Sequence, residues 1–332
     1  MFNLTNLKPL LSIDDATVEC PVAGCTHTVE RQKNSFKKEP RFQCPEHRIF
    51  ISPSTYEYER EEENLLWADD SDMELFSAIK TVKRESRIAR ENSEDAVTWN
   101  VFRYLERQNL LPSFLNDYFS TAINTAELIL WSFSRLEYYS ANDQKYTGWS
   151  ELNSARLAFG ETITRGSEPD IIINTDKALI FIEAKVTSGN DTSGSGENYD
   201  RHMKVPNGYT TGANGWYDQV FRSNYQTVVE AQKYELLRFW LLGTWMALQM
   251  NKPFILANIV LREKEKAIET EFSKHIQAND TRTFSRMCWE DVYDFIAKSG
   301  VSNSDTDKMF HYFKNKTLGY DSNGNLINAF KI

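Results

Sequence analysis

The chain has 332 residues, of which 41% are hydrophobic and 26% are charged, so a fully disordered chain and a fibrous repeat are both excluded. Its 38 Lys and Arg residues against 47 Asp and Glu residues give a net charge of −9, which argues against a protein coated in nucleic acid but not against an enzyme that binds it locally. The longest apolar stretch, residues 239–248, is much shorter than the roughly 20 residues that span a bilayer. Because the first residues also lack a basic leader and an apolar signal core, we expect a cytoplasmic protein without membrane association.

The first 50 residues contain three of the four cysteines and few apolar residues. Cys20-x4-Cys25 and Cys44-x2-His47 are two paired knuckles, each of which can place two ligands on one side of a tetrahedral Zn²⁺ ion. Four protein ligands would saturate the metal, so we predict a structural zinc site. His27, just outside the first knuckle, is a competing ligand.

A basic segment overlaps the second knuckle. Residues 30–48 contain six Lys and Arg residues against three Glu residues: Arg31, Lys33, Lys37, Lys38, Arg41 and Arg48 against Glu30, Glu39 and Glu46. Such a segment can bind phosphate backbones, and it can equally be an ordinary solvated surface. Both interpretations remain open from the sequence.

The next part of the chain has helical periodicity. Residues 51–92 are polar and charged, with a later apolar spacing that suits an amphipathic helix, and we interpret them as a helical connector. Ser93 can cap a helix whose apolar residues recur every four positions, and Pro112 is expected to end it. A further helix is predicted over residues 115–134. We therefore divide the chain into a zinc-binding module (1–50), a connector (51–92) and a main domain (93–332).

The main domain then changes to a strand pattern. Residues 171–173 and 178–182 are short apolar runs separated by Asn-Thr-Asp-Lys, which predicts a β-hairpin with buried strands. Residues 188–215 contain six of the fourteen glycines and are predicted to be a long flexible loop. Further helices are predicted over 216–250 and 289–297, with Gly243 at a point of close packing, and a strand over 254–261.

The hairpin carries three charged residues that can converge. Asp170 opens the first strand, while Glu183 and Lys185 lie on one face near the end of the second strand because side chains alternate along a strand. Paired carboxylates bind Mg²⁺ through oxygen, and a lysine can position or help to activate a water molecule and stabilise negative charge during phosphodiester hydrolysis. A helical carboxylate upstream often completes such a site. Glu94 has the spacing of an inward face of its helix, and Asp95 is the alternative.

These residues resemble the PD-(D/E)xK nuclease superfamily. The resemblance covers residues 93–260 and consists of Pro169-Asp170 and Glu183-Ala184-Lys185 on strand, turn and strand, preceded by the helix with Glu94 and followed by a long helix. It implies an α/β fold of the restriction-endonuclease-like type, with a mixed sheet flanked by helices. It also implies cleavage that depends on Mg²⁺ or Mn²⁺, metal ligation by Asp170 and Glu183, and Lys185 as the catalytic lysine.

The resulting hypothesis is a metal-dependent nuclease, with DNA as the preferred substrate and restriction or anti-phage defence as its setting by analogy. A single active site cuts one strand, so double-strand cleavage would suggest a homodimer, and a defence-system protein is a second candidate partner. One alternative is a nucleic-acid-binding or scaffolding module that retains the fold without cleavage. A branch-specific or RNA nuclease is another. Tyr234 and Arg238, four residues apart on one helix face, are secondary candidates for contacts with a nucleic-acid backbone.

Overall fold

The computed structural model describes residues 6–32, 36–52, 54–83, 86–140, 145–164, 166–192 and 207–332. The described residues form two compact units. Unit 1 draws on Met1–Met73, Glu85–Tyr104 and Trp289–Ile332, and unit 2 on Glu74–Arg84 and Leu105–Cys288. The domain boundaries predicted near residues 50 and 92 remain a prediction.

Unit 1 contains small two-stranded sheets. The antiparallel pairs are β1 (Thr17–Glu19) with β2 (Thr28–Glu30), and β3 (Phe50–Ile51) with β4 (Tyr56–Glu57). The buried cysteines of this N-terminal module pack with aliphatic and tyrosine side chains, including Val18, Ile51 and Tyr56. The chain therefore begins with a small Cys-rich module, as the sequence predicts.

The α-helices of the described ranges all follow these strands in the chain. In chain order they are α1 (Asp70–Ile79), α2 (Glu94–Arg107), α3 (Leu111–Phe119), α4 (Arg135–Ser140), α5 (Ser150–Ala158), α6 (Asn207–Gly215), α7 (Tyr217–Val220), α8 (Tyr225–Glu230), α9 (Tyr234–Gln249), α10 (Ile268–Ser273), α11 (Trp289–Lys298) and α12 (Ser304–Asn315). Short 3₁₀ helices occur at Pro40–Phe42 and Glu61–Asn64. Within the described ranges, every helix is too short or too polar to cross a lipid bilayer.

A mixed five-stranded sheet is the centre of unit 2. Its strands lie side by side in chain order, namely β5 (Ala126–Leu130), β6 (Ile171–Thr175), β7 (Leu179–Ala184), β8 (Phe254–Val260) and β9 (Arg282–Cys288). The first three pair antiparallel, whereas β7, β8 and β9 are parallel. The predicted α/β class with a mixed sheet flanked by helices is confirmed. Unit 1 ends in a further antiparallel pair, β10 (Thr317–Tyr320) with β11 (Leu326–Asn328).

The predicted hairpin is present as β6 and β7. Every residue of β7 and of the neighbouring β8 is buried, which explains why their sequences are continuous apolar runs rather than alternating ones. The turn is closed by Thr175, whose Oγ1 accepts hydrogen bonds from the backbone N–H groups of Lys177 at 3.1 Å and Ala178 at 2.8 Å. The turn chemistry thus fixes the register that brings Asp170 towards Glu183.

The long helix α9 packs against the sheet through a glycine. A Cβ atom at Gly243 would lie 2.1 Å from the ring of Phe254 at the start of β8, so close packing requires glycine here. The helix ends before Asn251, which has a left-handed φ of 52°, and before Pro253. The close packing at Gly243 is confirmed, whereas residues 216–250, predicted as one helix or a helix pair, form three separate helices, α7, α8 and α9, with breaks at 221–224 and 231–233.

Three local predictions are wrong or incomplete. The helix predicted over 115–134 is instead the end of α3 followed by β5, because Ala126–Leu130 pairs with β6 along its whole length. Pro112 lies in the first turn of α3 rather than ending α2, which ends at Arg107. Half of the loop predicted over 188–215, residues 193–206, lies outside the described residues, but Asn207–Gly215 is helical apart from a non-helical turn at residues 212–214.

Candidate functional site

Two neighbouring strands, β6 and β7, position Asp170 and Glu183. Ile171 of β6 pairs with Ile182 of β7, so continuing the antiparallel register places Asp170 opposite Glu183. The Oδ2 atom of Asp170 accepts a hydrogen bond from the backbone N–H of Ala184 at 2.9 Å, and the Asp170 carbonyl accepts one from Trp131 at 3.1 Å. The half-buried Asp170 side chain is therefore fixed against the end of β7.

Lys185 joins this pair and brings in a fourth residue. Its Nζ atom lies 2.5 Å from Oε1 of Glu183, which confirms that the two side chains share a face. The same Nζ lies 2.9 Å from Oε2 of Glu235, in the first turn of α9. We call Asp170, Glu183, Lys185 and Glu235 the acid–lysine cluster.

The charges of the cluster alter one another's ionisation. Burial raises the pKa of Glu183, and the nearby charges of Asp170 and Glu235 raise it further, against the opposing effect of Lys185. Burial acts to lower the pKa of Lys185, but the charges of Glu183, Glu235 and Asp170 outweigh it and hold the pKa above the ordinary lysine value. Lys185 is therefore an ammonium ion at neutral pH.

The backbone around Lys185 is held by buried polar contacts. Asn258 of β8 is fully buried, and its Nδ2 donates to the Glu183 carbonyl at 3.1 Å and to Oδ1 of Asn190 at 3.1 Å. Lys264 Nζ donates to the carbonyls of Val186 at 3.0 Å and Thr187 at 3.1 Å. These contacts fix the strand end and the segment that follows it, which limits how far Lys185 can move.

Glu235 was not among the residues predicted from the sequence. Its backbone N–H donates to Oγ1 of Thr192 at 2.9 Å, so the segment after Lys185 returns to the start of α9. Burial acts to raise the pKa of Glu235, but the charges of Lys185 and Arg238 outweigh it and lower the pKa, which keeps the carboxylate ionised. In the sequence, an acid in the first helical turn is indistinguishable from one that merely favours the helix dipole.

Glu94, the predicted upstream acid, belongs to unit 1. It is half-buried at the first position of α2, and the Oγ of the preceding Ser93 accepts from the backbone N–H of Ala96 at 3.2 Å, as expected for a helix cap. The alternative, Asp95, is in the same turn and its Oδ2 accepts from Arg87 N at 3.5 Å. A catalytic part for either acid remains a prediction.

The cysteine module brings together the four residues predicted to bind zinc. The ligand atoms of Cys20, Cys25, Cys44 and His47 all lie within 4.8 Å of one another. Cys25 Sγ is 3.8 Å from Cys44 Sγ, and His47 Nδ1 is 3.7 Å from the Sγ atoms of Cys20 and Cys44. Tetrahedral zinc with bonds of about 2.3 Å to sulfur separates its sulfur ligands by about 3.8 Å. This group could hold a structural zinc ion.

The burial of the thiols is also consistent with a bound zinc ion. Burial raises the pKa of the Cys20 and Cys25 thiols, so a nearby cation is needed to hold them as thiolates at neutral pH. Gly24 provides the turn between them, with a left-handed φ of 82°. His27, the competing ligand, groups instead with Cys25 and Glu46, and its side chain is 47% exposed.

Groups of three or more ligand atoms this close together occur, in the part of the chain that the structure describes, only in the cysteine module. The carboxylates of the acid–lysine cluster do not form such a group. Any cation there would have to take its remaining ligands from water and substrate oxygens, as Mg²⁺ commonly does.

The basic segment next to the cysteine module is largely neutralised by local contacts. Lys38 lies 2.7 Å from a Glu57 oxygen and Arg48 lies 2.7 Å from a Glu59 oxygen. Two other described basic residues of the segment have carboxylate partners, Lys37 with Glu39 and Arg41 with Glu39 and Glu30, whereas Arg31 donates to the backbone carbonyl of Asp14. Lys33 lies outside the described residues. The solvated-surface interpretation is therefore favoured over a phosphate-binding one.

Comparison of the chain with models of protein families, with curated proteins and with solved structures returned no match. The functional argument therefore rests on the acid–lysine cluster and the cysteine module themselves.

Proposed function

We propose that the chain is a Mg²⁺- or Mn²⁺-dependent nuclease of the PD-(D/E)xK type, with DNA as its substrate and a structural zinc ion in its N-terminal module. The observation that carries the proposal is the meeting of Asp170, Glu183 and Lys185 at the end of two paired strands. Lys185 is buried between the carboxylates of Glu183 and Glu235, with Asp170 beside them. Because burying charged groups is costly, packing of the sheet alone does not account for this arrangement.

The charges of the cluster fit a divalent cation. Three carboxyl groups, those of Asp170, Glu183 and Glu235, lie beside two cationic side chains, Lys185 and Arg238, whose Nη2 is 3.9 Å from Glu235. Because burial and the neighbouring acids raise the pKa of Glu183, a cation bound beside it would favour its ionised form. Asp170 and Glu183 would hold the cation. When bound, it would polarise the phosphodiester and lower the pKa of a coordinated water molecule.

The chain's own residues would supply positioning and charge. Because Lys185 is protonated, it is suited to orient the attacking water by donating a hydrogen bond and to stabilise negative charge on the phosphoryl oxygens, and not to remove a proton. Glu235 and Glu183 fix the ammonium group from two sides. Asn258, through the Glu183 carbonyl, keeps the strand end in place.

The test is cleavage by the purified full chain. Supercoiled plasmid, single-stranded DNA and RNA are incubated with Mg²⁺, Mn²⁺ or EDTA, using wild type, Lys185→Met, Glu183→Gln and Asp170→Asn. We expect metal-dependent cutting that each substitution reduces by at least about a hundredfold. Lys266→Met is the matched control, because Lys266 forms an exposed pair with Glu263 at 2.7 Å and should leave the rate unchanged.

The same panel separates the alternatives. Nucleic-acid binding that is equal in EDTA and Mg²⁺, without cutting, would support a binding or scaffolding module in place of the nuclease. Preference for RNA or branched DNA would retain the chemistry and change the substrate. Equal cutting by wild type and the cluster variants would overturn the proposed site. Double-strand cleavage with second-order dependence on protein would indicate a homodimer, whereas cutting that requires an added defence-system protein would indicate that partner.

A further inference from the structure

Arg238 lies one helical turn after Glu235, beside the acid–lysine cluster. Its Nη2 atom is 3.9 Å from Oε1 of Glu235, beyond hydrogen-bonding distance, and its guanidinium carbon is 4.9 Å from the centre of the Tyr234 ring. The side chain is 21% exposed although its Nε is buried, so part of the side chain can be reached from solvent. Arg238 and Lys185 therefore share Glu235 as a counter-ion, but only Lys185 is hydrogen-bonded to it.

The guanidinium contacts the fold through the rings of Tyr234, at 4.9 Å, and Phe239, at 5.8 Å, and through the more distant Glu235 carboxylate. Its buried Nε has no hydrogen-bond acceptor in the described part of the chain. Structural arginines of the same unit behave differently: Arg156 donates to the Ser167 carbonyl and to Asn153, and Arg286 donates to the carbonyls of Arg262 and Lys264. An arginine that is largely desolvated without such acceptors is costly, because a buried donor that makes no hydrogen bond loses its hydration without replacement.

We propose that Arg238 binds a backbone phosphate of the substrate, next to the phosphodiester that is cut at Asp170 and Glu183. The aromatic ring of Tyr234 holds the planar guanidinium from its face and leaves its outer N–H groups for phosphate oxygens. The phosphate would replace the long-range contact with Glu235 by direct hydrogen bonds. This inference rests on the nuclease proposed above and assigns it an additional substrate-binding residue.

The test is the salt dependence of binding. Affinities of the full chain for labelled single-stranded and duplex oligonucleotides are measured by fluorescence anisotropy over a KCl series with Ca²⁺, while cutting is monitored in parallel. Losing one phosphate contact should lower the slope of log K against log[KCl] by about 0.7 for single strands or about 0.9 for duplexes. We expect this change in Arg238→Met, with affinity about tenfold weaker.

Two further variants make the result specific. Arg238→Lys keeps the charge, so it should keep the wild-type slope and recover part of the affinity. It also serves as the deciding variant if Arg238→Met melts at a lower temperature than wild type. Arg282→Met is the matched control, because the Arg282 guanidinium donates to the carbonyls of Gln277 and Gln219, and neither slope nor affinity should change.

The outcomes distinguish this inference from the proposed function. An unchanged slope and affinity in Arg238→Met, while wild type cuts the same oligonucleotide, would overturn the role of Arg238 and leave the nuclease intact. Absence of binding and cutting by wild type across the substrate panel would overturn both. A lowered slope in Arg282→Met as well would show that the effect is not local to Arg238.

Discussion

The side chain of Asn258 donates a hydrogen bond of 3.1 Å to the main-chain carbonyl of Glu183, its register partner across the parallel strands β7 and β8. Asn258 is fully buried and exchanges two further hydrogen bonds with Asn190, which is 1% exposed. The buried pair of amides therefore connects the end of β7, where Glu183 lies, with the segment that follows Lys185. Buried polar groups of this kind persist when every member is satisfied.

We predict that Asn258→Leu destabilises unit 2 by about 1–3 kcal/mol, because it leaves the Asn190 amide without its partner. Urea unfolding, followed by tryptophan fluorescence, measures the change. Asn190→Leu should cost a similar amount, and the double variant should cost less than the sum, since no amide is then left unsatisfied. Additive losses would show that the two amides do not depend on each other.

For the cysteine module we predict one zinc ion per chain, held by Cys20, Cys25, Cys44 and His47. Because three of the proposed ligands are part of the small buried core of the module, removing the metal should unfold it. Zinc content by mass spectrometry and protection from proteolysis at residues 6–58 are the measurements. His47→Ala should lose both.

The controls decide between the two candidate histidines. His27→Ala should retain one equivalent of zinc, since the His27 side chain is 47% exposed and groups with Cys25 and Glu46 instead. Cys288→Ala should also retain the metal, as Cys288 lies at the end of β9 and accepts from Arg286 at 3.0 Å. Retention of zinc in His47→Ala and its loss in His27→Ala would reverse the assignment.

How far the sequence predicts the fold depends on where the determining contacts lie. The hairpin of β6 and β7 is predictable because its signal is local: β-branched runs on either side of a turn that Thr175 closes. The β5 sequence, Ala-Glu-Leu-Ile-Leu, favours a helix by propensity, but its strand conformation is decided by pairing with β6 more than forty residues later. In the sequence of β9, polar and apolar residues alternate only weakly, and its burial is decided by pairing with β8.

The candidate site divides in the same way. Asp170, Glu183 and Lys185 could be placed together because strand alternation and one short turn determine their spacing. Glu235 could not, because it approaches Lys185 only after the chain has passed through residues 186–234 and returned to the start of α9. The role of Asn258 could not be predicted either, since the sequence shows only an asparagine within an apolar run and not the buried group to which it donates a hydrogen bond.

For Glu235 we predict a positioning effect on the lysine. Glu235→Gln retains the size of the side chain and removes one of the two carboxylates that hold the Lys185 ammonium. If the chain is the nuclease proposed here, kcat should fall by about tenfold or more, with KM for substrate little changed, since the lost interaction positions Lys185, which acts on the reacting phosphate. Steady-state kinetics on the preferred oligonucleotide measure both constants.

Glu230→Gln is the matched control for this variant. Glu230 is exposed at the end of α8, five residues before Glu235, and its neutralisation should leave kcat unchanged. A rise in KM without a change in kcat for Glu235→Gln would indicate that Glu235 acts on substrate binding and not on Lys185.

Asp176 should make stability depend on pH. Its carboxylate accepts hydrogen bonds from the backbone N–H groups of Asn124 at 2.9 Å and Thr125 at 3.1 Å and from the Asn124 side chain at 2.9 Å, and these bonds lower its pKa. Because the folded-state pKa is below the unfolded one, the stabilisation is present above about pH 4 and is lost as the pH falls through the folded-state value. Asp176→Asn should therefore melt below wild type at pH 7, and the gap should narrow below pH 4. A gap that stays constant from pH 7 to pH 3 would contradict this account.

Gly243 tests how tightly α9 packs on the sheet. A methyl group at this position would lie 2.1 Å from Cζ of Phe254, whose ring is 1% exposed and cannot move aside. Alanine is intrinsically better than glycine in a helix by about 0.8–1.0 kcal/mol, yet overpacking a core costs about 1–3 kcal/mol. Since the overlap here is large, we expect Gly243→Ala to lower the free energy of unfolding. In the Phe254→Leu background, where the ring is absent, the same change should cost less or stabilise the protein, and equal costs in both backgrounds would show that the ring is not what excludes a side chain from position 243.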